Sequence, residues 1–185
     1  MQGIDILVNQ HNNVLTFTYI VKEKCKKIFN GEEINIEFFE KILEFGRYYV
    51  DKHHHKEEEN ILFKIMIDNL GANIAHIIND GMLFDHNVGR MYLMNLEYAI
   101  QDYKMFQDDE NKLKILSNAF GYADMMENHI SKENEVLYPF AENNLADNKK
   151  EECNNQINEF EQKGYEQGIQ TKYLNLLDEL KIIWG

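Results

Sequence analysis

The hydrophobic positions of this chain recur at helical spacing, and strict alternation of apolar and polar residues is nearly absent. Apolar residues three, four and seven places apart lie on one face of an α-helix. We therefore predict four long helices, followed by two shorter helices near the C-terminus. The long helices are predicted at residues 3–29, 34–69, 80–106 and 110–144, and the shorter ones at 149–164 and 169–183.

Four long helices joined by short connections are typical of an up-down-up-down four-helix bundle. We predict an all-α fold in which residues 1–145 form the bundle and residues 146–185 form an additional C-terminal helical segment. Apolar residues at helical spacing near the C-terminus suit an amphipathic helix, so we expect this segment to pack on its own bundle. The glycine-containing stretch in the 70s is predicted as a connection.

The chain repeats itself at an offset of 75 residues. Each copy contains a helix with one histidine, then a helix with H-x-x-x-E followed by an apolar run that ends in an aromatic residue. The matched pairs are His11 with His86, His54 with His129, and Glu58 with Glu133. A two-helix unit of this kind buries its apolar face by pairing with the other copy.

The repeat also distinguishes between three neighbouring histidines in HHHKEEEN, residues 53–60. His54 has apolar residues four places before it and seven and eight places after it, so it faces the core of an α-helical bundle. His53 and His55 have polar residues at such positions. We predict that these two are solvated residues or neighbours of a site rather than members of it.

Four histidines and two glutamates are therefore predicted to project from four helices into one apolar interior. These candidates are His11, His54, Glu58, His86, His129 and Glu133. Burying two carboxylates and four imidazoles is costly unless cations neutralise them. Imidazole nitrogens and carboxylate oxygens are ligands for iron, manganese or zinc, and six of them exceed one tetrahedral zinc site.

This ligand set predicts two metals bridged by the two glutamates. Iron, as Fe2+ or Fe3+ with an oxo or hydroxo bridge, is the natural occupant because an open position would accept O2, nitric oxide or peroxide. The E-x-x-H pattern of ferritin-like bundles and the H-E-x-x-H pattern of zincins are both absent.

The net charge of −13 argues against a nucleic-acid partner and against an anionic membrane surface. The chain shows no secretion signal and no apolar stretch of membrane-spanning length. Cys25 and Cys153 are far apart in sequence, which is expected of a reduced cytoplasmic protein. His76 is expected in a loop or at a helix end, Asp51 as an acceptor for His54 or His55, and Tyr122 as a candidate electron shuttle.

At these residues the chain resembles the hemerythrin-like (HHE cation-binding) family, over residues 1–144. The resemblance rests on QHNN at 10–13, HHKEEENILF at 54–63, DHNVGR at 85–90 and HISKENEVLYP at 129–139. It implies a non-haem, carboxylate-bridged diiron centre in a four-helix bundle, with the six candidates as ligands. Oxygen-carrying hemerythrins have a second histidine four residues along helix three, where this chain has Arg90. That difference argues against reversible oxygen carriage.

We therefore expect a cytoplasmic diiron protein that binds or reacts with O2, peroxide or nitric oxide, for sensing or detoxification, with an electron-donor protein as a partner if it turns over. The alternative is a non-catalytic iron-binding storage or sensing module. A third hypothesis, a metal-free bundle for protein interaction, predicts that His54→Ala and Glu133→Ala leave stability unchanged. The ligand set also resembles the iron–sulfur repair proteins, but their additional N-terminal domain with a cysteine pair is not expected here.

Overall fold

Helix accounts for 92% of the structure, a computed structural model, and no strand occurs within the described residues. The structure describes residues 1–184, apart from the side chain of Trp184. The all-α prediction is therefore confirmed. Within the described range, no helix combines the length and the apolar character needed to cross a membrane.

Six long helices follow one another along the described chain. Helix α1 is Gln2–Phe29, and α2 comprises the consecutive segments Ile36–Phe45, Gly46–His55, Glu58–Leu62 and Phe63–Leu70. Helix α3 comprises Ala72–Ile77, Ile78–Met82 and Leu83–Met105, and α4 comprises Asp109–Lys132, Glu133–Leu137 and Tyr138–Asn144. Helices α5 and α6 are Asp147–Glu166 and Ile169–Trp184.

The predicted connection in the 70s is wrong in extent, because a single residue, Gly71, separates α2 from α3. Gly71 has a φ of 86°, a left-handed conformation that glycine adopts without the steric cost of a Cβ. Helix α3 therefore begins at Ala72 rather than near residue 80. The other predicted helix boundaries lie within two residues of the observed ones.

Four segments of these helices are π-helical, with hydrogen bonds from residue i to i+5. They are Gly46–His55, Glu58–Leu62, Ile78–Met82 and Glu133–Leu137. Three of them contain a candidate residue, and Ile78–Met82 ends one turn before His86. Because a π turn holds more residues than an α turn, side chains that α-helical spacing places on different faces are brought to the same face.

Helix α4 packs between α1 and α3, and α3 also packs against α2. The two C-terminal helices pack on α1 and α2. The division of the chain at residue 145 into a bundle and a tail stays a prediction.

Two apolar clusters fill the interior. One cluster contains Val14, Phe17, Val50, Tyr122 and Ile130, and the other contains Leu7, Ile61, Leu62, Leu137 and Tyr138. Along α1 and α2, the candidate histidines and glutamate come between the residues of one cluster and those of the other, and on α4 Glu133 does so, with His129 next to Ile130 at the edge of the first cluster. The polar group therefore lies between two apolar regions.

Cys25 and Cys153 are both buried and unpaired, one in each apolar cluster. Burial raises the pKa of each thiol to about 12. Both thiols are therefore protonated at neutral pH and act as small apolar side chains.

Gly46→Ala is expected to destabilise the fold by about 1 kcal/mol, because overpacking a core costs ~1–3 kcal/mol and replacing a helical glycine returns ~0.5–1 kcal/mol. A Cβ at residue 46 would lie 2.9 Å and 3.1 Å from the two methyl groups of Leu93 and 3.3 Å from the hydroxyl of Tyr122. Urea denaturation measures the change. The matched control is Gly81→Ala, where a Cβ meets nothing within 4 Å and stability should not fall.

Candidate metal centre

The six candidate residues are all buried. His11, His54, Glu58, His86 and Glu133 have no exposed surface, and His129 is 1% exposed. Helix α1 contributes His11, α2 contributes the His54 and Glu58 pair, α3 contributes His86, and α4 contributes the His129 and Glu133 pair. The structure therefore brings together side chains that are up to 122 residues apart in sequence.

These side chains form two groups that share one glutamate. The first group consists of His11, His54, Glu58 and Glu133, and the second consists of His55, Glu58, His86 and His129. Within each group, one ligand atom of each residue lies within 4.8 Å of those of the others. Each group has the composition of a mononuclear site for a first-row transition metal, and the shared glutamate makes them adjacent.

Both glutamates extend across the two groups. Glu58 has Oε1 at 3.6 Å from Nε2 of His54, and its Oε2 is 3.5 Å from Nε2 of His86. Glu133 has Oε2 at 3.2 Å from Nε2 of His11, and its Oε1 is 3.2 Å from Nε2 of His129. Each carboxylate thus directs one oxygen towards each group, as a carboxylate that bridges two metal ions does.

Each of the four predicted histidines has its Nδ1 next to a side-chain oxygen that can accept a hydrogen bond from it. The pairs are His11 with Asn134 at 2.8 Å, His54 with Gln10 at 2.6 Å, His86 with Glu59 at 2.7 Å, and His129 with Asp85 at 3.3 Å. An Nδ1–H that donates to oxygen fixes the tautomer and the ring orientation, and leaves the lone pair on Nε2. In every case, Nε2 is the atom that faces a glutamate of the centre.

Several polar atoms at the centre are buried without a hydrogen-bond partner. They are Nε2 of His54, both ring nitrogens of His55, Oε2 of Glu58 and both carboxylate oxygens of Glu133. In addition, Nε2 of His86 and Nε2 of His129 face each other at 3.0 Å, where two lone pairs repel unless a proton or a cation lies between them. Unsatisfied buried donors and acceptors are costly, and metal ligation would satisfy all of these atoms except one ring nitrogen of His55. The residues present therefore fit a metal-bound state.

The charges at the centre are strongly perturbed. Burial raises the pKa of Glu58 well above its usual value, and the charge of Glu133 adds to this effect. Burial opposes ionisation of Glu133 too, but the charge of His129 holds the pKa of Glu133 well below its usual value. Against the effect of burial, Glu133 raises the pKa of His129 to about 9. Without a cation, protons therefore neutralise this centre, and metal binding is expected to release them.

His55 was predicted to be a solvated residue or a neighbour of the site, and the first alternative is wrong. Its side chain is 2% exposed and its ring stacks on that of His86, with a centroid distance of 3.8 Å. His55 belongs to the second group, so the centre has five histidines rather than four. The prediction failed because it assumed α-helical spacing, whereas residues 46–55 are π-helical. The only feature of the sequence that could have indicated the burial of His55 is the run of three histidines shortly before three glutamates.

The prediction of solvation was wrong for His53 as well, since its side chain is 2% exposed. His53 stacks on Phe160 of α5 at a centroid distance of 5.3 Å and does not belong to either group. His76, by contrast, is 77% exposed at the end of its α-helical segment and pairs with Asp80. Because helix α3 continues without a break from Ala72 to Met105, His76 lies within a helix, and the predicted loop is wrong.

Arg90 stands four residues after His86 and orders the surroundings of the centre. Its guanidinium donates to Asp51 at 2.6 Å and to Glu59 at 2.8 Å. The same oxygen of Glu59 accepts from Nδ1 of His86, so Arg90 fixes the carboxylate that orients this imidazole. Asp51 lies 3.7 Å from Nδ1 of His55, too far for the hydrogen bond that was predicted.

Tyr138 is the tyrosine whose hydroxyl contacts the centre. The hydroxyl donates to Oε1 of Glu58 and lies 3.4 Å from Nε2 of His11, and the two rings are stacked. The hydroxyl of Tyr122, which the sequence suggested as an electron shuttle, is buried and makes no hydrogen bond. A proton or an electron can therefore be exchanged with the centre most directly through Tyr138.

Comparison with protein families agrees with this geometry. The model of the family described as "Hemerythrin HHE cation binding domain" matches residues 2–141, which is more than half of the chain. Comparison with curated proteins and with solved structures gave no match.

Proposed function

Because the chain belongs to the hemerythrin HHE cation binding domain family, we propose that its buried histidines and glutamates hold two iron ions. We propose further that this diiron centre binds or reacts with O2, peroxide or nitric oxide, in sensing or in detoxification. The observation that carries the proposal is that Glu58 and Glu133 each direct one oxygen towards each group of histidines. An oxo or hydroxo bridge would complete such a pair.

We propose an up-down-up-down topology for the four helices around the centre. Helix α1 runs from the cluster of Leu7 to the cluster of Val14, and α2 runs back from Val50 to Ile61. Helices α3 and α4 repeat this order, from Met82 to Leu93 and from Ile130 to Leu137. This alternation supports four helices of alternating direction, with α5 and α6 as the additional segment.

The two iron ions would have unequal ligand sets. With both glutamates bridging, one iron would bind His11 and His54, and the other would bind His55, His86 and His129. The first iron would then have four protein ligand atoms and the second would have five. The first iron therefore keeps more room for a small molecule, next to the hydroxyl of Tyr138.

The presence of five histidines removes the argument, made from the sequence, against reversible O2 binding. That argument was that Arg90 occupies the position on α3 where oxygen-carrying hemerythrins have a fifth histidine. His55 on α2 supplies a fifth imidazole instead. Reversible O2 binding therefore stands beside peroxide and nitric oxide among the proposed activities. Iron bound by these residues would supply the redox chemistry. Tyr138 holds a proton next to Glu58, and the two apolar clusters exclude water.

We place the protein in the cytoplasm, because both buried cysteines are unpaired, as is usual in a reducing compartment. Net reduction of O2, nitric oxide or peroxide requires electrons from outside the chain, so an electron-donor protein is the proposed partner for these reactions. The chain's net charge of −13 favours a donor with a basic contact surface.

The proposed reactivity is tested with anaerobically iron-loaded protein exposed separately to O2, nitric oxide and hydrogen peroxide. At least one of them should produce a new near-ultraviolet or visible absorption band. Glu133→Gln should abolish the band, because this change removes the charge of a bridging carboxylate. The matched control is Glu135→Gln, an exposed position on the same helix, which should keep it. A protein that holds two irons and responds to none of the three would contradict the proposed reactivity.

The complete burial of the six predicted ligands favours one alternative, a non-catalytic module that stores or senses iron. Such a module would bind iron and gain stability from it without any turnover. Multiple-turnover consumption of peroxide or nitric oxide, with an artificial electron donor present, separates the two functions. Turnover above that of Glu133→Gln excludes the alternative, and its absence supports it.

A further inference from the structure

A third group of metal-ligating side chains lies beside the dinuclear centre, where α5 packs against α2. His53 and Glu57 belong to α2 and Glu161 belongs to α5. One ligand atom of each lies within 4.8 Å of those of the other two. None of these residues is part of the two groups that share Glu58.

Two of the three side chains are buried and incompletely satisfied. The side chain of His53 is 2% exposed and that of Glu57 is not exposed at all. Nε2 of His53 and Oε1 of Glu57 make no hydrogen bond. Nε2 of His53 lies 2.8 Å from Oε1 of Glu161, but the two atoms are not aligned for a hydrogen bond. Such unpaired atoms are costly unless a ligand satisfies them.

Two glutamine side chains hold the carboxylates in place. The Nε2 group of Gln10 donates to Oε2 of Glu57 at 2.8 Å and to Oε1 of Glu161 at 3.1 Å. Gln170 donates to the other carboxylate oxygen of Glu161 at 3.2 Å. Within the described part of the chain, neither carboxylate pairs with a lysine or an arginine. Two carboxyl groups are thus fixed next to an imidazole, with no lysine or arginine among the described residues to balance a negative charge on either.

Helix α5 approaches His53 closely because it has a glycine, Gly164, at the point of contact. A Cβ at Gly164 would lie 3.0 Å from Cε1 of His53 and 2.9 Å from Nε2 of Gln170. One turn earlier, the ring of Phe160 stacks on His53. The glycine therefore permits the contact that places Glu161 beside this imidazole.

We propose that His53, Glu57 and Glu161 bind a third divalent cation of the first transition row, such as Zn2+ or Mn2+. One imidazole nitrogen and carboxylate oxygens are ligands that these ions accept. The side chain of Glu161 is 23% exposed, so water can enter to complete the coordination. The ion would fasten α5 to α2, and hence the C-terminal segment to the helix that carries His54 and Glu58.

Gln10 connects this site to the dinuclear centre. While its amide nitrogen holds Glu57 and Glu161, its oxygen accepts from Nδ1 of His54 at 2.6 Å. Occupation of the third site therefore fixes the amide that orients one ligand of the dinuclear centre.

The test counts Zn2+ on the metal-stripped full chain after saturation and desalting. Glu161→Gln should bind one Zn2+ fewer per chain than the wild type, and Glu57→Gln should give the same loss. Glu159→Gln, an exposed position on the same helix with the same change of charge, should bind as the wild type does. Far-ultraviolet circular dichroism in chelator establishes that each variant is folded.

Equal zinc content in folded Glu161→Gln, Glu57→Gln and Glu159→Gln would overturn the third site. The comparison does not depend on the dinuclear centre, because it measures a difference of one ion whatever the centre holds. If the wild type takes up no iron at the centre when it is loaded with iron, while the zinc counts still differ by one, the proposed function is contradicted and the third site is supported.

Discussion

Removal of metal with a chelator should lower the melting temperature of the protein by about 8–16 °C. A ligand that binds only the folded state stabilises it by ~4 kcal/mol when its free concentration exceeds Kd a thousandfold. In a chain of 150–250 residues, each kcal/mol shifts the melting temperature by about 2–4 °C. The expected loss is large because chelation leaves two carboxylates and five imidazoles in an apolar interior.

Scanning calorimetry with and without iron measures this shift, and metal analysis of the same samples establishes that chelation is complete. The matched control is Glu58→Gln, which lacks the shared carboxylate and should respond much less to the chelator, because only the proposed site at His53 can still lose a cation. A melting temperature that stays within ~2 °C after complete removal of metal would mean a stabilisation of less than about 1 kcal/mol. That result would favour the metal-free bundle for protein interaction.

Glu58→Gln should lose both irons while making the metal-free protein more stable. Glu58 is the one residue that belongs to both groups of ligands. Glutamine keeps the shape of the side chain but removes the negative charge that a bridge requires. In the metal-free protein, burial and Glu133 both oppose ionisation of Glu58, which raises its pKa. The neutral glutamine therefore removes a cost of about 1–3 kcal/mol.

Iron content per chain and urea denaturation of the metal-free forms measure the two effects separately. Glu135→Gln has the same change of charge at an exposed position and should alter neither quantity. Retention of two irons by Glu58→Gln would contradict the assignment of this carboxylate as a bridge. A loss of stability in the metal-free form would contradict the argument that burial and Glu133 oppose ionisation of Glu58.

The internal repeat was sufficient to predict six residues that the structure brings together. His54 with Glu58 and His129 with Glu133 are separated by four positions, a spacing that places both members on one helix face under α-helical geometry. The offset of 75 residues then relates the two pairs and the two single histidines. Sequence periodicity was therefore informative about the inward face of each helix.

His55 and His53 could not be predicted in this way. Their burial depends on π-helical hydrogen bonding from residue 46 to residue 55, and neither composition nor periodicity identifies a π segment. A wider turn brings three consecutive histidines into the interior, two of them towards the two groups that share Glu58 and one towards α5.

Contacts between distant segments could not be predicted from the sequence either. Glu161 meets His53 across 108 positions, and Asn134 meets His11 across 123. No local pattern relates these residues, because the packing of α5 and of α4 on the other helices decides which side chains meet. Arg90 is a similar case, since its role is defined by Asp51 and Glu59 on α2.

Anomalous diffraction at the iron absorption edge, from crystals of the iron-loaded protein, tests the central claim most directly. The proposed centre predicts two iron peaks about 3.5–4 Å apart, as in other two-metal sites. One carboxylate oxygen of Glu58 and one of Glu133 should contact each peak. A single peak among these side chains, or a Glu58 that contacts only one ion, would contradict the carboxylate-bridged diiron centre.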